Sequence, residues 1–521
     1  MICRLPKLLL ASVMALGMSA VMAEMPVPPS PAEMMEAGQK AMEASHKAME
    51  AMQNAAYHGA KPAMDTLPDY MNMVKPGDKF QFPPSYITVP GNRKLTEADF
   101  GDPSICAGCH PRQYKGWKGS MHSNALKDPI FQKLWHMGEV ATGGKLLNHC
   151  GGCHTPIGVT TGTLKHNKET GEFTAGPIGS QGVSCDVCHN ISKTNFLETA
   201  TLEHGNASFE LDPRGMNGRK LGPLKDAMSP FHPTQYSELH TKADFCGNCH
   251  NIFNPANGFP VERTYDEWKY SVYARKGIVC QDCHMVPVET AIRVATELKR
   301  PKELADTGLG GFAGMGAMKE RDLVHDHGFV GGNAVVTALL TGEGSEHAEA
   351  ARKRLQNAAE LDLRFDDRMD GLKELRVEVF NVAAGHNLPT SLTDVREIWV
   401  HVVIKDQDGK VIYENGQLDS HGELDHDNVT IFNAVAVDEN GKVTHLPWEV
   451  TRFIRETTIP PKGSSISRYA FSAPEGTSKV VAEVSLNYRS YGQHLADVVL
   501  GHGTLTIPVI QMEHEVAELD L

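Results

Sequence analysis

Ten of the eleven cysteines fall into one repeated frame: Cys106-Ala-Gly-Cys109-His110, Cys150-Gly-Gly-Cys153-His154, Cys185-Asp-Val-Cys188-His189, Cys246-Gly-Asn-Cys249-His250 and Cys280-Gln-Asp-Cys283-His284. Two thiols three residues apart, followed at once by an imidazole, form the attachment signature of c-type haem. The thiols add to the two vinyl groups and the histidine is set under the iron. A single Cys-x-x-Cys also serves redox dithiols or half of a zinc site. An even number of cysteines in an exported chain ordinarily suggests disulfides. Neither alternative explains a histidine after every second cysteine, five times over. The expected cofactors are five covalently bound c-type haems, with His110, His154, His189, His250 and His284 as proximal iron ligands.

The second axial ligand decides what each iron does. Histidine on both faces gives a six-coordinate electron-transfer centre, and an open face admits a substrate. Twenty of the twenty-five histidines lie outside the motifs and compete for that role. The segments Cys106-Ala-Gly-Cys-His-Pro-Arg-Gln-Tyr-Lys-Gly-Trp-Lys-Gly-Ser-Met-His122, Gly182-Val-Ser-Cys-Asp-Val-Cys-His189, Cys280-Gln-Asp-Cys-His-Met285, Asp326-His-Gly-Phe-Val-Gly-Gly332 and Gly385-His-Asn-Leu-Pro-Thr390 carry a resemblance. Over about Ile105 to Tyr491 the chain resembles multihaem cytochromes of the c-552/c-554 kind. That group is related to hydroxylamine oxidoreductase, pentahaem nitrite reductase and some filament-forming surface cytochromes.

The resemblance implies distal ligation by His122, His204, His240, His327 and His386, one for each iron. His232 competes with His204, His325 with His327, and His136 and His149 stand in reserve. It also implies what is missing. Pentahaem nitrite reductases carry lysine at the active motif, and no Cys-x-x-Cys-Lys occurs here. A hydroxylamine-type enzyme uses more haems than five motifs supply.

The elements around these residues follow from how little chain there is. Cys106 to His284 is too short to build a separate apolar core for each of five macrocycles, so the haems themselves must form much of the core. Short helices and irregular loops are expected there. The glycine-rich Gly308–Gly316 stretch reads as a flexible loop over a haem edge, and Asn333 to Leu361 reads as helical from Ala351, Leu355, Ala358 and Leu361. After Asp367, Leu375–Phe380, Ile398–Ile404 and Lys479–Leu486 alternate in the manner of strands, with Asp408-Gly409 and Asn440-Gly441 turns between them. The expected fold is a multidomain α+β chain: a mostly helical and irregular multihaem domain followed by a β-sandwich domain.

The N-terminus reads as a secretory signal peptide over 1–23, with Arg4 and Lys7 before an apolar run from Leu8 to Val21. Residues 24–104 hold a methionine- and alanine-rich helix and a proline-rich linker. The pentahaem domain with its trailing helix spans 105–362, and the β-domain 363–521. Met35, Met42 and Met49, seven apart, read as packing residues; a copper site at His46, Met49 and Met52 is the lesser reading. No later run approaches the ~20 apolar residues of a membrane span.

A net charge of −14, made more negative by loss of Arg4 and Lys7, argues against nucleic acid as a partner and suits docking to basic patches on other redox proteins. The expectation is an electron carrier of the periplasm or outer surface, passing electrons between a redox donor and acceptor through bis-histidine haems. A haem oxidoreductase acting on a small nitrogen or sulfur compound at one five-coordinate iron is the alternative, and a conductive filament a third reading. Oligomerisation is compatible with all three.

Overall fold

The computed structural model describes residues 80–521. The signal peptide, the methionine-rich helix and the first part of the proline-rich linker lie outside the described residues.

The stretch 80–103 does more than cover its neighbours. Ile87, Val89, Leu95 and Phe100 are buried in a cluster with Ile157, Val187, Ile191, Phe209 and Leu211, against which Cys153 and Cys249 also pack. The stretch is irregular, with 3-10 turns at Pro90–Asn92 and Glu97–Asp99, and its backbone groups pair outward, Tyr86 N donating to Asn206 O and Thr88 N to Phe209 O.

From Pro103 to Glu297 the chain forms short helices joined by two- to four-residue strands. Four helices start alike: Pro103–Cys106, Pro111–Lys118, Pro129–Ala141 and Pro156–Thr161 each have proline at the first position, where its missing N–H costs nothing. Asp102 and Asp128 cap the first and third by accepting from Ser104 N and from Ile130 N and Phe131 N. Among these residues the apolar clusters are small and separate, as a segment built around something other than its own side chains should show.

The helix read over 333–361 is two helices. Ala334–Thr341 ends at Gly342, Glu346–Leu355 follows, and a strand begins at Ala359. Gly342 and Gly344 break it with φ of +98° and +75°, which glycine takes without a Cβ clash. Leu361 therefore alternates in a strand rather than repeating on a helix.

The C-terminal part holds the long strands: β1 (Ala359–Asp367), β2 (Lys373–Asn381), β3 (Glu397–Asp406), β4 (Val411–Asn415), β5 (Ser464–Phe471), β6 (Lys479–Arg489) and β7 (Ile510–Asp520). β1, β2 and β5 make one antiparallel sheet. β4, β3, β6 and β7 make another, with Ile431–Phe432 added beside β3. Leu375, Val377 and Val379 of the first sheet share one core with Val400, Val402, Ile404, Val480, Ala482 and Val484 of the second, so alternation along β2, β3 and β6 turns one face of each strand inward. Beneath this core Arg489 donates to Glu397 at 2.8 Å, both side chains buried.

The two halves are sewn together. Asn254 Nδ2 donates to the carbonyls of Trp448 and Val450, Trp448 packs in a cluster with Trp135 and Leu146, and Ile130 and Leu134 meet Tyr491 and Leu495.

Candidate functional site

In each motif the two cysteines lie three residues apart on a helical turn, which puts both sulfurs on one face with the histidine one residue on. All ten cysteines are free and half-buried. All ten, and all five motif histidines, line a single continuous cavity of about 1590 Å³. This exceeds the ~300–1,000 Å³ of an ordinary small-molecule site.

Four of the five motif histidines are held alike. Nδ1 of His110 donates to Ala313 O (2.9 Å), that of His154 to Ala125 O (2.8 Å), that of His189 to Leu221 O (2.6 Å) and that of His284 to Val330 O (2.8 Å). A carbonyl only accepts, so these contacts fix the proton on Nδ1 and leave Nε2 with its lone pair facing the cavity. His250 turns Nδ1 to Glu262 at 3.7 Å. Burial pushes His154 down to about 4 and His284 to about 3, so both stay neutral, as iron ligation demands. Burial also works against charge on His250, but Glu262 outweighs it and raises the pKa to about 9.

Loops supply three of these acceptors, and the strand Lys220–Gly222 supplies Leu221. The Gly308–Gly316 stretch lies against the first motif, Ala313 taking the His110 proton and Met315 N donating to Cys109 O at 2.7 Å. Trp117 Nε1 donates to Val183 O, tying the helix after the first motif to the residues before the third. Gly182, at φ +68°, passes so close to His122 O that an added Cβ would sit 2.4 Å from it.

With imidazole–metal bonds of about 2.0–2.1 Å, two imidazoles on opposite faces of one metal have ring centres roughly 6–6.5 Å apart. Four motif histidines have such a neighbour. His232 is 6.4 Å from His110, His122 is 6.1 Å from His250, and His386 is 6.3 Å from His284. His189 has two, His327 at 6.4 Å and His240 at 5.9 Å. His327 donates Nδ1 to His325 O and keeps Nε2 free, whereas His240 turns Nε2 to Cys188 O at 3.0 Å. Burial holds both low, His327 at about 3 and His240 at about 4. His386 and His232 also commit Nδ1, to Asn387 O and Pro233 O.

His154 has no such imidazole among the described ring contacts; Phe131 stacks flat on it at 3.6 Å. His204 does not line the cavity. It is buried between Phe196 (4.0 Å) and Tyr265 (4.8 Å), with Asp244 approaching Nε2 at 3.5 Å. Of the reserves, His149 lines the cavity, and His136 instead meets His166, nitrogen to nitrogen, at 2.9 Å.

The Gly385–Thr390 loop joins the β-strands to the motifs. Glu267 accepts from Asn387 N (3.0 Å) and Thr390 Oγ1 (2.6 Å), holding the turn that carries His386. Thiols of different motifs are near enough to shift one another's ionisation: Cys106 and Cys185, Cys153 and Cys249, and Cys246 and Cys280.

Residues 105–190 match the family profile described as cytochrome c554 and c-prime. The donor set, a cavity walled by every motif and imidazoles aimed into it all fit haem, and the chain is a multihaem c-type cytochrome. Its fold is that of a solved penta-haem cytochrome c552 from Thermochromatium tepidum, to which it is 20% identical, with 81% of this chain and 100% of that chain covered at a TM-score of 0.55. MtrC from Shewanella baltica OS185 is 12% identical over 49% of this chain and 45% of its own, with a TM-score of 0.16. No curated protein matches. Among the described residues no helix is long and apolar enough to cross a membrane.

Proposed function

We propose that this chain is an exported pentahaem cytochrome of the periplasm or outer surface, with its two long-stranded sheets forming a β-sandwich behind the haem region. Its function is to pass electrons between redox-protein donors and acceptors. The observation that carries the reading is the single cavity onto which all five motifs open. Bound c-type haem supplies an iron that changes charge by one electron without bond rearrangement.

The protein's part is to hold and to exclude. Ten cysteines anchor the cofactors and five motif histidines hold the irons from one side. His232, His327, His122 and His386 are the proposed second ligands opposite His110, His189, His250 and His284. The Nδ1 contacts of His232, His327 and His386 fix ring orientation, and Phe329 packs edge-on against His122, which keeps the ligand set unchanged on electron gain and loss. The fourth motif is the junction. Its Cys249 is influenced by Cys153 of the second motif, its Cys246 by Cys280 of the fifth, and the charge of Cys246 reaches Cys188 of the third.

A second reading, a haem site open to a small ligand, is favoured at one place: His154, whose described ring neighbour is Phe131 rather than a second imidazole. The pyridine haemochrome assay and the spectrum of the reduced protein with carbon monoxide test both. Five haems with about one-fifth of the Soret band shifting supports four closed irons and one open one. No shift leaves every iron closed and retires the second reading. Fewer than five haems, or a larger reactive fraction, overturns the electron-carrier assignment in this form.

A further inference from the structure

Six basic side chains line the cavity: Lys220, Arg300, Lys302, Arg321, Arg354 and Arg396. Three are ion-paired, Lys220 to Asp186 (2.8 Å), Arg300 to Asp282 (2.8 Å) and Arg321 to Asp226 (2.6 Å), and Lys302 is exposed. Arg396 lies 5.2 Å over the Tyr491 ring, donates to Ser490 O and is within electrostatic reach of Glu262. Arg354 is different. Its guanidinium donates to Cys283 O at 2.9 Å, its Nε is sealed from solvent with no acceptor, and no carboxylate of the described residues forms an ion pair with it. The helix Glu346–Leu355 delivers it to the fifth motif, where its charge is felt by both His284 and His386.

A guanidinium stays charged at any working pH, and a charge withdrawn from water needs a counter-charge. The protein places none there. Haem brings two carboxylates of its own, and a planar guanidinium matches a carboxylate with two parallel hydrogen bonds.

We propose that Arg354 binds a propionate of the haem carried by Cys280, Cys283 and His284, and that its fixed positive charge raises the reduction potential of that haem. The proposal rests on haem attachment at the fifth motif, as argued above. Reduction adds one negative charge at the iron, and a permanent cation beside it favours the reduced form. Charges at such range shift ionisation equilibria by about 1–3 powers of ten; a tenfold shift in a one-electron equilibrium is about 59 mV.

Potentiometric titration of the purified holoprotein, followed in the visible bands, reads this directly. The component belonging to the fifth haem is identified in His386→Ala, which gives that iron a carbon monoxide response. In Arg354→Gln that component should move at least tenfold toward the oxidised form. Arg354→Lys, which keeps the charge without the fork, should stay within about threefold of wild type. If Arg354→Gln fails to accumulate, Arg354→Met, with similar bulk, reads the same shift. An unmoved fifth component, or a shift confined to another one, overturns the proposal. A wild-type haem count below five sinks the underlying haem assignment instead.

Discussion

Glu267 is a half-buried carboxyl whose only described bonding partners are the backbone and hydroxyl of the turn that carries His386. Its pKa is pushed from an ordinary 4.5 up to about 7; burial is the largest cause, and the bonds from Thr390 and Asn387 pull the other way. The folded chain therefore binds this proton more tightly than the unfolded chain. The resulting stability is complete below pH 4.5, declines as pH rises, and is gone above about 7. At 1.36 kcal/mol per unit, the loss across that window is up to about 3 kcal/mol. Glu267→Gln keeps an oxygen that accepts both bonds and does not ionise. Urea unfolding of the holoprotein, followed by far-ultraviolet circular dichroism at pH 5 and pH 8, compares the two. The wild type should lose up to about 3 kcal/mol more than Glu267→Gln between these values. Equal losses in both proteins would show that Glu267 is ionised throughout, and the argument from its burial would fall.

Replacing Arg489 by methionine strands Glu397 among buried neighbours with only His426 at 3.1 Å, and should cost about 3–5 kcal/mol in urea unfolding. Adding Glu397→Leu should recover most of it, and a single-variant cost under about 1 kcal/mol would contradict the pairing. His327→Ala should add about one-fifth to the carbon monoxide-reactive Soret fraction while His240→Ala adds nothing; the reverse result would exchange their roles opposite His189. Gly182→Ala forces a Cβ against His122 O at a positive φ and should destabilise by more than about 1 kcal/mol, with the fourth haem's potential displaced; an unaltered melting curve would refute the close approach.

The chemistry was legible because covalent attachment demands a contiguous motif, and contiguity survives in a sequence. The strands of alternating Leu375–Phe380, Ile398–Ile404 and Lys479–Leu486 were legible for the same reason, since a one-residue slip would turn them inside out. Distal ligation was harder. His122, His327 and His386 each fall opposite a motif histidine in space but lie tens of residues or more from it in sequence, so only resemblance could nominate them. His204 and His232 illustrate the limit. One is buried beside Phe196 and the other faces His110, and no local pattern tells them apart. The helix over 333–361 was misjudged because periodic Ala351, Leu355 and Ala358 outweighed Gly342 and Gly344. β1 and β7 were missed because their solvent-facing positions carry dense charge.

The nearness of thiols from different motifs bears on how the protein is made. A chain that reached this fold with bare thiols would hold Cys106 beside Cys185, Cys153 beside Cys249 and Cys246 beside Cys280, each pair drawn from two attachment sites. Under oxidising conditions such neighbours cross-link, and each cross-link would spoil two attachment sites at once. On the proposed reading, attachment would have to outrun folding. The local five-residue motif, which needs no tertiary structure to be recognised, is what allows a maturation enzyme to act on the extended chain before distant thiols find each other.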